Sequence, residues 1–531
     1  MRRLGARSLR SYVTSAPVRH APRVCIIGSG PGGFYSAKFL MKARPDVEVV
    51  MVDRWPTPFG LVRSGVAPDH PEVKSVARDF ESVASSPKFS FVGNLVVGSN
   101  ADVSEGGFGP RQALGGPHVV SLATLRASFD SVVVACGARG EAALELPGTG
   151  LDGVLSARSF VGWYNSEPTF ARLNPIGRDA GAASGDDARV WRAVVIGQGN
   201  VALDCARILA AQPCDLEATD VNRAALAALV GLPAARAVSV VGRRGAMQAA
   251  FTIKELRELG ARDGARLTVD RDELAASDTA ASIEECAASR PLRRKRDLLG
   301  DCAAAQGGGG DDDVGCFESV VSLRFLRAPV AFLPCDDDAT ALGAVVLEIQ
   351  RLEGPTGRQV ATPLGVYETI PADLALLAVG YAAALPNLDA GARATPGPGP
   401  GGAYDHVAGR VMGQPGLYCV GWAKRGPSGV VATNAPDSVV IQSREFLTLF
   451  WLQVPDARET IASLVADLAT SHATELPPTP FPDSTTTWAD WRAIDKKETA
   501  DGAAGDPPAS RIKLGNVDDM LKELIYFFFK K

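Results

Sequence analysis

The chain has 531 residues, of which 46% are apolar and 22% charged, the make-up of a folded protein with two to four domains at roughly 150 residues each. No apolar run approaches the ~18 residues of a membrane helix, and the formal charge of −5, from 55 basic and 60 acidic side chains, gives no bulk attraction to phosphate backbones. A helical membrane protein and a nucleic-acid binder held by net charge are thereby excluded, and any cationic partner site must be local.

The start of the chain is basic. Arg2, Arg3, Arg7, Arg10, Arg19 and Arg23 are interspersed with Ser8, Ser11 and Ser15, and the first acidic residue is Asp46. This is transit-peptide composition, without the continuous apolar stretch of a secretory signal. It predicts a leader over residues 1–22 and an organelle address, and the composition alone does not separate mitochondrion from plastid.

From Arg23 the pattern changes to strand, glycine turn and helix. The run Val24-Cys25-Ile26-Ile27 leads into Gly28-Ser29-Gly30-Pro31-Gly32-Gly33 and a helical stretch from Phe34 to Met41. A second strand, Val47 to Val52, ends in Asp53, twenty positions after Gly33. Strand, turn, helix and acid together form a dinucleotide fingerprint: the glycines allow the turn and close approach to a pyrophosphate, and the acid accepts from ribose hydroxyls. The pattern recurs at Ala193-Val194-Val195-Ile196, Gly197-Gln198-Gly199-Asn200-Val201-Ala202 and a helix from Leu203 to Ala210. Here the following strand, Ala237 to Val241, ends in Gly242-Arg243-Arg244. Guanidinium groups bind a 2′-phosphate that a carboxylate would repel, so the second site suits NADP(H) and the first a nucleotide with free ribose hydroxyls.

Three further strands end in glycine, at Gly137, Gly380 and Gly421, where a side chain would obstruct a cofactor. The second fingerprint lies between the first and the last two of these strands, so the simplest architecture inserts one nucleotide domain into another. The expected class is α/β, with two interleaved Rossmann-like domains in a glutathione-reductase-like arrangement. The outer domain would comprise residues 23–140 and 372–531, and the inserted domain residues 141–371. Residues 180–187, 307–313 and 395–402 look like low-complexity surface loops. The nine cysteines contain no C-x-x-C pair, which removes the usual signatures of zinc ribbons, clustered iron–sulfur ligands and a redox dithiol, and no metal is expected.

The long motifs Pro58 to Lys74, Phe160 to Asn165, Gly197 to Arg207, Gly242 to Gly245 with Ala250 to Glu258, and Gly421 to Val430 resemble those of the mitochondrial adrenodoxin reductase family, the FAD-containing NADPH:ferredoxin oxidoreductases. The resemblance runs from about Arg23 to Leu524. It implies FAD held by Gly28, Gly30, Gly32, Gly33, Asp53, Leu61 and Leu95, with Trp422 and Gly429-Val430-Val431 closing over the flavin. It also implies NADPH held by Gly197, Gln198, Gly199, Asn200, Arg243, Arg244, Glu255 and Gly429. His70 and Asp204 correspond to the family's His and Asp near the isoalloxazine. Asp53 stands where the family usually has Glu, and Gly32 where it has Ala. Arg290 and Arg294, in the cluster Arg290 to Arg296, take the place of the docking arginines for an acidic ferredoxin. A monomer is expected, and the resemblance allows peripheral association with the inner membrane. The alternatives are a disulfide reductase, which would need two cysteines at the flavin, a glutamate-synthase small subunit, which would need cluster-binding cysteines near its start, and a non-catalytic nucleotide-binding scaffold.

Overall fold

The computed structural model describes residues 21–98, 117–138, 140–176, 190–261, 264–304, 319–382, 385, 404–426, 455–470, 476–482 and 485–529. All but the last two residues of the expected leader lie outside these, as do Gly429, Val430, Val431 and the three low-complexity loops.

Arg23–Ile27 is an inner strand of a seven-stranded sheet. Glu48–Val52 and then Phe89–Val92 pair on one side of it, and Ser131–Val134 and then Leu417–Cys419 on the other, all parallel. The run Val24-Cys25-Ile26-Ile27 is buried on both faces, as a strand sandwiched between layers must be. Val24 and Ile26 pack with Phe34, Leu40 and Phe80, while Cys25 and Ile27 pack with Leu125, Val132 and Cys419 on the opposite face. The helices Trp488–Ala503 and Val517–Phe529 return to this domain, burying Trp491, Ile494 and Met520 in the Phe34 cluster.

The second sheet has six parallel strands in the order Ala265–Val269, Ser319–Arg324, Arg236–Val241, Trp191–Ile196, Leu374–Leu377 and Val154–Ser156. Helices cover one face. On the other, Val194 and Ile196 pack with Phe332, Val345 and Leu347 of an antiparallel three-stranded layer.

The domain boundary differs from the expectation at one end. Leu374–Leu377, expected in the outer domain beyond residue 371, hydrogen-bonds in parallel to Trp191–Ile196 and to Val154–Ser156, so it belongs to the inserted sheet. A short, wholly apolar strand carries no mark of which parallel sheet it joins. The chain leaves the inserted unit after this strand, at Tyr381–Ala382, which pairs antiparallel with the entering segment Gly140–Glu141. The two connections between the domains thus form one ribbon. Among the described residues no helix is long and apolar enough to cross a membrane.

Candidate functional site

The first turn is shaped by backbone contact. Gly28 has φ +106°, and a Cβ there would sit 2.6 Å from the Ala135 carbonyl oxygen. A Cβ on Gly33 would collide with the Gly28 carbonyl oxygen, so only glycine lets the helix Pro31–Ala43 lie this close to the strand. Gly30 and Gly32 differ: an added Cβ would find its nearest neighbours 4.0 and 3.8 Å away. The protein leaves that space to a cleft lined by Gly28, Gly30, Gly32, Asp53, Leu61, Leu95 and Trp422.

These expected residues therefore converge, except that Gly33 packs against Gly28 and Ile26 rather than joining the lining. No side chain caps the N-terminus of Pro31–Ala43, whereas Ser121, Ser156, Asn222 and Thr252 cap other helices of the chain. An uncapped terminus with bare glycine backbone leaves amides free for a phosphate, so the cleft fits a dinucleotide. Asp53 closes the turn: Oδ2 accepts from the Ser29 amide at 2.8 Å and its hydroxyl at 2.6 Å, and Oδ1 accepts from the Trp55 amide at 3.0 Å. Trp422 stands 5.2 Å from Tyr381 of the ribbon, ring centroid to centroid, a partner the sequence reading missed.

The second turn repeats the design. Gly197 has φ +131°, and a Cβ on Gly199 would meet nothing within 4 Å. The helix Asn200–Ala210 also lacks a side-chain cap. The Gln198 carbonyl accepts from the amides of Ala250 and Phe251 at 2.8 and 3.0 Å, and Asn200 Oδ1 accepts from the Thr252 amide at 2.8 Å. Arg243 and Arg244 are exposed beside this turn, directly after Gly242, where a Cβ would strike the Gln198 side chain.

A half-buried charged cluster joins the domains. His70 Nε2 is 3.0 Å from Glu258 Oε2. Arg207, 2% exposed, donates to both carboxylate oxygens of Asp69 at 2.8 and 3.1 Å, to Asp204 at 2.7 Å and to Glu255 at 3.2 Å. His70 and Asp204 are thus brought together with Glu255, their polar atoms within 4.8 Å of one another. Glu255, expected at the nucleotide, has Arg207 as its partner in this structure. Burial, then the neighbouring Asp204, pushes Glu255 up to about 7, and burial also raises Asp204. Burial pulls the His70 imidazole down, but the carboxylates of Glu258, Asp69 and Asp204 together outweigh it and the net shift is upward. Sequence reasoning did not single out Arg207, although Asp204 and Arg207 stand at i, i+3 on one helix, a readable pairing. Asp69 and Glu258 reach the cluster only through the fold.

The basic cluster divides. Within the helix Arg290–Ala304, Arg290 and Arg293 are exposed and Arg294 is half-buried. Arg296 pairs with Asp278 at 2.6 Å, and Lys295 is buried. No disulfide joins the described cysteines, of which Cys25, Cys205, Cys286 and Cys419 are buried.

Comparison with known proteins agrees with this geometry. A family model described as pyridine nucleotide-disulphide oxidoreductase matches residues 22–250. The chain is 38% identical over 505 residues to the mitochondrial NADPH:adrenodoxin oxidoreductase of Homo sapiens, covering 95% of this chain and 92% of that protein. It is 37% identical over 444 residues to the protein of the same name from Arabidopsis thaliana, covering 82% and 83%. Among solved structures, Mycobacterium tuberculosis FprA in complex with NADPH is 33% identical, with a TM-score of 0.74, covering 95% of this chain and 99% of that one. With two uncapped glycine turns following parallel strands of two sheets and these relatives along nearly its whole length, the chain belongs to the NADPH:adrenodoxin oxidoreductase family of pyridine-nucleotide flavoenzymes.

Proposed function

We propose that the chain is a monomeric FAD enzyme of the mitochondrial matrix that takes electrons from NADPH and passes them singly to an acidic two-iron, two-sulfur ferredoxin of adrenodoxin type. The observation that carries this reading is the pair of uncapped helix N-termini, one answered by Asp53 and the other by Arg243 and Arg244. The basic start of the chain and the mitochondrial relatives support the address.

In this reading the cleft holds FAD. Gly28, Gly30 and Gly32 admit the pyrophosphate to the helix terminus, Asp53 serves the ribose, and Leu61, Leu95 and Trp422 flank the ring system. When bound, FAD supplies the exchange of one hydride for two single electrons. The chain contributes binding, orientation and exclusion of water. Gly197, Gln198, Gly199 and Asn200 receive the NADPH phosphates, and Arg243 and Arg244 take the 2′-phosphate through charge-assisted bonds. His70, held by Glu258, keeps a proton at Nε2 near neutral pH, and Asp204 acts through Arg207 to fix the two domains around the reacting ends. Arg290 and Arg294 steer the acidic carrier onto the inserted domain.

Mixing the flavin-loaded protein anaerobically with each nucleotide tests the donor half directly. NADPH is expected to bleach the flavin absorbance much faster than NADH. A protein that takes up no FAD, or one reduced equally well by both nucleotides, would contradict the reading.

A further inference from the structure

The helix Arg290–Ala304 buries Lys295, Leu299 and Ala303, the i, i+4, i+8 stripe where apolar side chains belong. Lys295 breaks that pattern at 4% exposure. A buried ammonium is costly unless its donors are satisfied. Lys295 Nζ donates to the carbonyl oxygens of Ala249 at 2.7 Å and Met247 at 3.4 Å, and lies over the Phe251 ring, 5.4 Å from its centroid. All three belong to the strap that begins just after Arg243-Arg244. The next amides of the same strap, those of Ala250, Phe251 and Thr252, hold the Gln198 carbonyl and Asn200 Oδ1 at 2.8 to 3.0 Å. A continuous path of hydrogen bonds therefore runs from the basic helix, through Lys295 and the strap, to the second glycine turn. The strap has a further side-chain tether at Gln248, whose Nε2 reaches Ser282 and Gln359 at 3.3 and 3.2 Å. Lys295 differs in linking it to the helix that also presents Arg290 and Arg293 to solvent.

We propose that Lys295 is a positioning residue for the nicotinamide nucleotide, fastening the basic helix to the strap that sets Gln198, Asn200 and the Arg243-Arg244 pair in register. This rests on the reading of the second turn as the NADPH site. Lys295 itself is walled off by the strap, so its effect on the nucleotide passes through the backbone.

The test uses the flavin-loaded full chain. Lys295→Met keeps the length of the side chain and removes the donors. It is expected to raise the KM for NADPH about tenfold, the scale of a lost charge-assisted hydrogen bond, with kcat, bound FAD and melting temperature near the wild-type values. Lys295→Arg retains donors for both carbonyls and is expected to restore most of the affinity. A Lys295→Met protein with unchanged KM would overturn the proposal. So would one that loses flavin, melts early or loses kcat in step with affinity, because that would assign Lys295 to the fold alone. Saturable NADPH binding by the wild type checks the underlying reading separately, since its absence would remove the site before Lys295 is considered.

Discussion

Arg243 and Arg244 stand exposed beside Gln198, where each offers a planar fork of donors that matches a phosphate. Replacing both with alanine is expected to weaken NADPH by roughly 10- to 100-fold, at ~1.5–3 kcal/mol for a hydrogen bond to a charged group. NADH, lacking the 2′-phosphate, is expected to change little. Steady-state KM values for the two nucleotides check this, and equal losses would point to a damaged turn. Both arginines were legible in the sequence because their signal is local: a strand, a glycine and two cations in a row. Asp53 was legible for the same reason, although its hydrogen bonds to Ser29 and Trp55 show that it also shapes the turn. The partner of His70 was not legible, since Glu258 lies 188 positions away and no local pattern ties a loop histidine to a distant helix.

At the scale of elements, the basic cluster Arg290 to Arg296 divides once it is wound into the helix Arg290–Ala304. Arg290 and Arg293 face solvent, while Lys295 turns inward to Ala249 and Arg296 is spent on Asp278. A run of cations says nothing about which side of the helix meets the core until the stripe Lys295, Leu299 and Ala303 is set against its neighbours. Reversing charge at Arg290 and Arg294 is expected to raise the KM for an acidic ferredoxin by at least about tenfold, within the range for truncating interfacial charge pairs. Flavin reduction by NADPH should stay near wild type. A stopped-flow comparison of the two half-reactions separates these outcomes. Leu374–Leu377 illustrates the same limit for strands: its existence was legible, but its sheet is set by pairing with Trp191–Ile196.

For the whole molecule, the domains are tied by contacts that no stretch of sequence contains. Asp220 of the inserted domain accepts from Lys74 and Lys513, the latter at 2.8 Å, and all three side chains are largely buried. Burial alone would raise Asp220, but Lys513 and Lys74 outweigh it and hold the carboxyl well below the ordinary value of 3.8. The native state thus favours the ionised form, so this contribution to stability is complete above that value and is lost as acid protonates the group. Asp220→Asn removes the carboxylate that Lys74 and Lys513 share and is expected to cost about 3–5 kcal/mol. Chemical denaturation at neutral pH measures it, with a smaller difference from wild type expected in acid. The glycine turns were legible because they are continuous in sequence, whereas this lock joins residues 146 positions apart, Lys74 and Asp220, and a third near the end of the chain.

The central claim is that electrons leave this enzyme through a small acidic iron–sulfur carrier drawn to its basic helix. Its most direct test is reduction of cytochrome c by NADPH with and without an added two-iron, two-sulfur ferredoxin, across a series of salt concentrations. The rate is predicted to require the ferredoxin and to fall with rising ionic strength, as steered association does. Rapid reduction without any ferredoxin, or a ferredoxin-dependent rate indifferent to salt, would contradict the account.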